Sequence, residues 1–188
     1  MGKTFLYSLE GQETERILFR PIVATDFDTW LEFCRFPKSL DYIYSQEQLA
    51  VEDPVERCKM WFERVFNRYE KGLGGMNALI DKNTGAFVGQ CGLLIQTIDD
   101  LQELEIGYSL MPQHRGKGYA SEAARKCKEF AFTNNFRDSL ISTIHIDNDA
   151  SAQVAMANGM RLDKTTVSNG DPVNIYRIWK KDYDKTIG

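Results

Sequence analysis

Two hydrophobic periods alternate along this chain, and the switches between them mark its elements. "ERILFRPI" reads as a first strand, and "TDFDTWLEFCRF" as a helix with Thr25 as N-cap and Asp28 three residues on as an imperfect capping box. "EDPVERCKMWFERVFNRYEKG" is the clearest helix. Asp53 is its N-cap, Pro54 its first residue, Glu56 completes the box and Gly72 is the stop. Val55, Cys58, Phe62, Val65, Phe66 and Tyr69 trace its apolar face. "MNALI" and "AFVGQCGLLIQT" read as strands joined through the turn "DKNTG". In the next strand, "LQELEIGYSL", Leu104, Ile106, Tyr108 and Leu110 share one face, and Glu103, Glu105, Gly107 and Ser109 share the other. Ala120, Ala124, Cys127 and Ala131 then mark a helix packed through small residues. "SLISTIHI" is a strand, "NDASAQVAMANG" a short helix closed by Asn158 or Gly159, and "VNIYRIWKK" a final strand. With no internal repeat or linker composition, residues 1–188 form one mixed α/β domain.

Composition narrows the function classes. A net charge of −4 argues against a general nucleic-acid binder, which would carry a basic surplus. No apolar run approaches the roughly 18 residues needed to span a bilayer. The N-terminus has no apolar signal core, so the chain is read as untargeted and cytoplasmic, its Met-Gly start being weak ground for myristoylation. Cys34, Cys58, Cys91 and Cys127 lie far apart and read as reduced thiols, and neither His114 nor His145 has a partner at metal-ligand spacing.

The informative stretch is "ELEIGYSLMPQHRGKGYASEAARKCKEFAF", where a strand becomes a helix through a loop holding His114, Arg115, Gly116, Lys117 and Gly118. A glycine loop opening a helix leaves several N–H groups without intrahelical partners and allows close approach by a bulky anion. Arg115 and Lys117 add full charge to the helix dipole. The loop therefore reads as a phosphate cradle rather than an ordinary turn. A P-loop requires Ser or Thr after its lysine, but Gly118 follows Lys117. The dinucleotide fingerprint requires a third glycine where Ser121 stands.

"QHRGKG" (Gln113 to Gly118) resembles the Q/R-x-x-G-x-G/A signature of the GNAT N-acetyltransferases, which bind acetyl-coenzyme A. "TERILFRPIVATDFDTW", "LEIGYSLMPQHRGKGYASEA" and "IDNDASAQVAMANGMRL" resemble the branch containing the RimJ and RimL ribosomal-protein acetyltransferases, over roughly Thr14 to Trp179. The resemblance implies a strongly twisted, mostly antiparallel sheet splayed between its fourth and fifth strands and flanked by about four helices. Acetyl-CoA is the implied cosubstrate, without a metal. Its pantetheine arm would pair with the backbone around Tyr108, Ser109, Leu110 and Met111. Its pyrophosphate would rest on the amides from Arg115 through Tyr119 to Ala120, with Gln113 and His114 beside it and Asn148 contacting the pantetheine or capping a helix.

Acetyl transfer to an amine needs the amine unprotonated. Neutralising a lysine-type amine at pH 7 costs about 4.6 kcal/mol, and an α-amine about 1 kcal/mol. Glu105 occupies the position where other GNAT enzymes place a strand-four glutamate base. Glu103, two residues away on the same face, is a candidate partner, since paired carboxylates raise one another's pKa. The tyrosine that many family members place seven residues past the asparagine is replaced by Ala155, and the RimL-like serine three residues past it is Ser151, a candidate to hydrogen-bond the coenzyme sulfur. Trp30, Phe33, Phe36, Tyr42 and Tyr44 lie where the family builds its acceptor wall. The expected acceptor is an amine on a protein N-terminus or a small molecule, and the expected assembly a monomer or homodimer. A competing reading is a catalytically weak acyl-CoA-binding or sensing module.

Overall fold

The computed structural model describes residues 6–36, 42 and 49–187, the last four without side-chain detail. Seven strands form one mixed sheet: β1 (Ile17–Pro21), β2 (Gly74–Asp81), β3 (Phe87–Ile98), β4 (Leu101–Leu110), β5 (Ser139–His145), β6 (Arg161–Ser168) and β7 (Asp171–Trp179). Their order is β1-β2-β3-β4-β5-β7-β6, and every neighbouring pair is antiparallel except β4 and β5. That parallel pair is in register only at Glu105 and Ile141, so the sheet parts beyond a single rung. The mixed, splayed architecture that the resemblance implies is therefore present.

Five α-helices occur among the described residues: α1 (Phe27–Cys34), α2 (Pro54–Glu70), α3 (Tyr119–Thr133), α4 (Asp149–Ala157) and α5 (Lys180–Ile187). Two pieces were not foreseen. The strand β6 has no buried residue, only exposed and half-buried ones, and six of the eight positions in "RLDKTTVS" are charged or hydroxyl-bearing, which hides its pattern. The helix α5 follows directly on β7, where "VNIYRIWKK" had suggested only strand.

Burial of apolar residues on both faces of the sheet holds the layers together. On one face Leu104, Ile106, Ala124, Cys127, Ala131 and Phe132 join β4 to α3. On the other, Trp30 and Phe33 of α1 meet Trp61 and Phe62 of α2 over Ala78 and Met111. Trp30 stacks on Phe33 with ring centroids 4.1 Å apart and lies 4.8 Å from Trp61. The expected α2 stripe omitted Trp61, which is 2% exposed, while Val55, Phe66 and Tyr69 are only partly buried.

Helix starts differ in detail from the motif reading. Thr25 does not cap α1; a 3-10 turn over Ala24–Asp26 precedes it, and Asp26 instead accepts from the Val23 amide at 2.9 Å and pairs with Arg20 at 2.6 Å. Asp53 caps α2 by accepting from the Val55 amide at 2.9 Å, but Glu56 turns to Lys59 at 2.6 Å rather than completing a box. Asp53→Ala should therefore cost about 1 kcal/mol, read as a small loss in urea midpoint at unchanged slope.

Candidate active site

The chain leaves β4 through Met111, makes a 3-10 turn at Pro112–His114 and enters α3 at Tyr119. Gly116 and Gly118 adopt φ of +72° and +83°, left-handed values that glycine reaches without strain. Gly118 is the N-cap, and with no side chain it leaves the helix end uncapped. The first intrahelical bond runs from the Glu122 amide to the Gly118 carbonyl at 3.1 Å. The amides of Tyr119, Ala120 and Ser121 thus have no intrahelical acceptor and suit an incoming anion.

Residues distant in sequence brace this loop. Arg16 donates to the Lys117 carbonyl at 3.0 Å, pairs with Glu122 at 2.6 Å and lies 4.4 Å over the Tyr119 ring. The Tyr119 hydroxyl donates to Asp81 at 2.5 Å. Asp81 also accepts from the Asn83 and Thr84 amides in the β2–β3 turn, and these donors hold its carboxyl down at about 2. Neither Arg16 nor Asp81 carries a motif, so sequence reading passed over both. Arg115 donates through Nε to the Leu110 carbonyl at 3.1 Å, and burial lowers its pKa. Burial, followed by the charge of Lys117, likewise depresses the His114 imidazole.

A cleft of about 790 Å³ runs from this loop into the splay. Arg115, Gly116, Gly118 and Ala120 line it; Gln113, His114, Lys117 and Tyr119 do not. Tyr108, Ser109 and Leu110 line it as well, whereas Met111 is only 2% exposed. The Met111 amide donates to Val88 at 3.0 Å and its carbonyl accepts from His114 at 2.9 Å. Its N–H and C=O thus both have partners within the protein, unlike the open rung expected there. Antiparallel ladders alternate, so Ser109 also turns its backbone toward β3 while Tyr108 and Leu110 turn theirs toward the gap.

Glu105 is 9% exposed and lines both this cleft and a second, of about 840 Å³, that runs along α2. Its Oε1 accepts from the Thr143 amide at 3.0 Å. Burial pushes the carboxyl upward, opposed by hydrogen bonds from Thr143 and Gln96 and by the charge of Arg68. Glu103 lines neither cleft. Arg177 grips it from two nitrogens at 2.7 and 3.1 Å, so it is held in an ion pair away from the clefts instead of serving as the partner expected for Glu105. His145, passed over as a sheet-face residue, lines both clefts, its ring 5.1 Å from that of Tyr42.

Asn148 caps α4 by accepting from the Ser151 amide at 3.1 Å, and both residues line the first cleft. The Ser151 carbonyl accepts from the Tyr108 hydroxyl at 2.7 Å, tying β4 to the start of α4 across the gap. Ala155 is buried at 1% exposure, so no hydroxyl projects from the usual tyrosine position. Of the expected acceptor wall, Trp30 and Phe33 are fully buried in the core and Phe36 lines neither cleft. Tyr42 lines both clefts, and Tyr44 lies outside the described residues. Among the described residues no cluster of three or more His, Cys, Asp or Glu is arranged to hold a metal ion, and no helix is long and apolar enough to cross a membrane.

Comparison with known proteins gives the same outline. The uncharacterised protein YkkB of Bacillus subtilis (strain 168) is 38% identical over 118 residues, 62% of this chain and 67% of that protein. An acetyltransferase from Agrobacterium tumefaciens superposes with a TM-score of 0.72 at 24% identity, over 95% of this chain and 99% of its own. RimL, the ribosomal L7/L12 alpha-N-protein acetyltransferase, solved with coenzyme A, superposes at 0.68 with 19% identity, over 90% and 97%. The family model for the acetyltransferase (GNAT) domain matches residues 16–161, the span that holds the splayed strands, the glycine loop and Glu105, and the chain belongs to that family.

Proposed function

We propose that this protein transfers the acetyl group of acetyl-CoA to a primary amine, with Glu105 as the general base. The observation that carries this reading is the position of Glu105, a buried carboxylate where the two clefts meet. One cleft leads to the amides at the start of α3, which fit a pyrophosphate; the other gives an acceptor its own approach. Glu105 takes the ammonium proton, directly or through one water, in a site that raises its affinity for that proton. The freed nitrogen bonds to the acetyl carbon, the carbon–sulfur bond breaks, the nitrogen gives up its second proton to solvent as the amide forms, and the thiolate takes a proton. Ser151 can support the sulfur by hydrogen bonding; with Ala155 supplying no hydroxyl, solvent is the proton source.

Coenzyme binding tests the reading most directly. At acetyl-CoA 100-fold above its dissociation constant, stability should rise by about 2.7 kcal/mol, visible as a clear shift in melting temperature. A flat calorimetric titration at high concentrations of both acetyl-CoA and CoA would remove the proposal. Binding without release of free thiol to any amine would favour the sensing module, for which the absence of a tyrosine at Ala155 is the supporting observation.

A further inference from the structure

Ten polar or charged side chains are buried among the described residues, and all but two of them make a hydrogen bond inside the protein. The exceptions are Gln90 on β3, 1% exposed, and Ser109 on β4, 8% exposed. The Gln90 Oε1 is buried without a partner, and neither the rest of its amide nor the Ser109 hydroxyl bonds to a described residue. The two residues stand directly opposite one another in the β3–β4 ladder, so their side chains rise together from one face of the sheet. Both line the first cleft. Folded proteins leave few buried amides unpaired, because each forfeits its hydrogen bonds to water. Two such groups side by side on a cleft wall ask for a ligand that satisfies them.

The ladder also fixes where this pair stands. Gln90 and Ser109 form one rung, Gly92 and Gly107 the next on the same face, and Leu94 and Glu105 the one after. Four residues of strand therefore separate Ser109 from Glu105, about 13 Å. The middle rung has no side chain of its own. A β-carbon on Gly107 would meet Leu94 Cδ1 at 2.9 Å and Met76 Sδ at 3.3 Å, so apolar atoms cover it. Glu105 is the only charged residue on the three rungs. Arg64 and Arg115 also line the cleft, but each already has an interaction within the protein.

We infer that Gln90 and Ser109 select the acceptor: an amine with an apolar middle and a carboxamide at its far end. The amine and carboxamide stand about 10 Å apart, the separation of the rungs less the reach of the two side chains. The inference rests on the acetyl-transfer reading above, with the amine at Glu105. An amide and a hydroxyl each offer a donor and an acceptor, and a ligand carboxamide returns the same pair. A charged group would find no opposite charge on this rung and would shed its water there at a cost. The same chemistry is offered by an amino-alkyl amide and by a peptide with asparagine as its third residue, since two extended residues cover about 7 Å and the side chain the rest.

Isosteric acceptors separate these cases: 8-aminooctanamide against 8-methylnonan-1-amine, and Ala-Ala-Asn against Ala-Ala-Leu, both as C-terminal amides. The charged control is 8-aminooctanoate. Free-thiol release from acetyl-CoA is followed on the full chain. In at least one pair the carboxamide should exceed its isostere about tenfold or more in kcat/KM, because the isostere leaves Gln90 dry and unpaired. The carboxylate should fall below its amide. Whichever of the small-molecule and peptide pairs shows the preference identifies the source. Gln90→Met and Ser109→Ala should each bring the ratio toward one, the carboxamide losing and the isostere gaining; a purely structural glutamine would lower both mates alike. Gln90 makes no hydrogen bond within the protein, so Gln90→Met should not lower the melting temperature, and Ser109→Ala carries the test if that variant fails to fold. For slow acceptors, calorimetry on the CoA-loaded protein should give the same order of affinities. Equal behaviour of both mates in every pair, a carboxylate preferred over its amide, or a ratio that survives both substitutions would overturn the inference. So would a loss of acetyl-CoA affinity in Gln90→Met at an unchanged ratio, which would assign the pair to the coenzyme. Acetyl-CoA affinity of the unsubstituted protein, measured without acceptor, judges the underlying activity separately: if it is normal while no carboxamide is preferred, this inference alone fails.

Discussion

Glu105→Gln should lower the rate of acetyl transfer by about 10²- to 10⁴-fold while leaving acetyl-CoA affinity nearly unchanged. Glutamine keeps the size of the side chain and an oxygen for the Thr143 amide, but it cannot take up the amine proton. The defect should shrink as pH rises, because more of the acceptor is then already neutral. Single-turnover rates at pH 6–7 and above it read this without interference from product release. The same substitution should stabilise the fold. A buried carboxyl with a raised folded-state pKa costs nothing below the unfolded value near 4.3, where both states are protonated. The cost grows as pH rises from there through the folded-state pKa and is constant above it. The melting advantage of the glutamine variant should follow that course, absent near pH 4 and full at high pH. Wild-type chemistry in the variant at pH 6–7 would make Glu105 a sheet residue, with protons leaving through water.

Gly118→Val should weaken acetyl-CoA binding by about 10²- to 10⁴-fold, through loss of about two amide–phosphate bonds at about 1.5–3 kcal/mol each. A β-carbon at Gly118 meets only Arg16 Nη2, at 3.4 Å, so the protein itself has room for it. The conflict lies in φ at +83° and in the backbone's approach to the ligand. Lys117→Ala, at an exposed position outside the cleft lining, should cost less than about 1 kcal/mol, and less still in high salt. Calorimetry on folded variants compares the two. A larger loss from Lys117→Ala would mean that charge dominates, and the cradle would then be wrongly described.

The elements that announce themselves in this sequence are those whose pattern is set locally. Helix α2 has its cap, its proline and its apolar stripe within one stretch, and the loop from Gln113 to Gly118 holds both glycines and bases. The strand β6 escaped notice because an edge strand half in solvent keeps little hydrophobic alternation. In the site, the resemblance of "EIGYSL" singles out Glu105, but its environment was not legible: Thr143, Gln96 and Arg68 come from three other elements. Glu103 misled for the same reason. Its spacing put it beside Glu105, and only the β5–β7 pairing brings Arg177 near enough to claim it. Arg16 and Asp81 brace the loop from about 100 and 40 residues away, a separation across which no periodicity operates.

The lone rung between β4 and β5 divides the sheet into two cooperative units, β1 to β4 and β5 to β6, that share almost no backbone ladder. What joins them is side-chain traffic: Ser142 donating to the Ile106 carbonyl at 2.9 Å, Tyr108 to Ser151, and the Thr143 amide to Glu105. Relative movement of the halves therefore breaks few main-chain hydrogen bonds, although Leu104 and Ile106 share one apolar core with Leu140, Ile144 and Tyr176 across the seam. On the acetyl-transfer reading proposed above, an extended cosubstrate laid into the seam would supply rungs that the polypeptide omits and serve as a temporary strand.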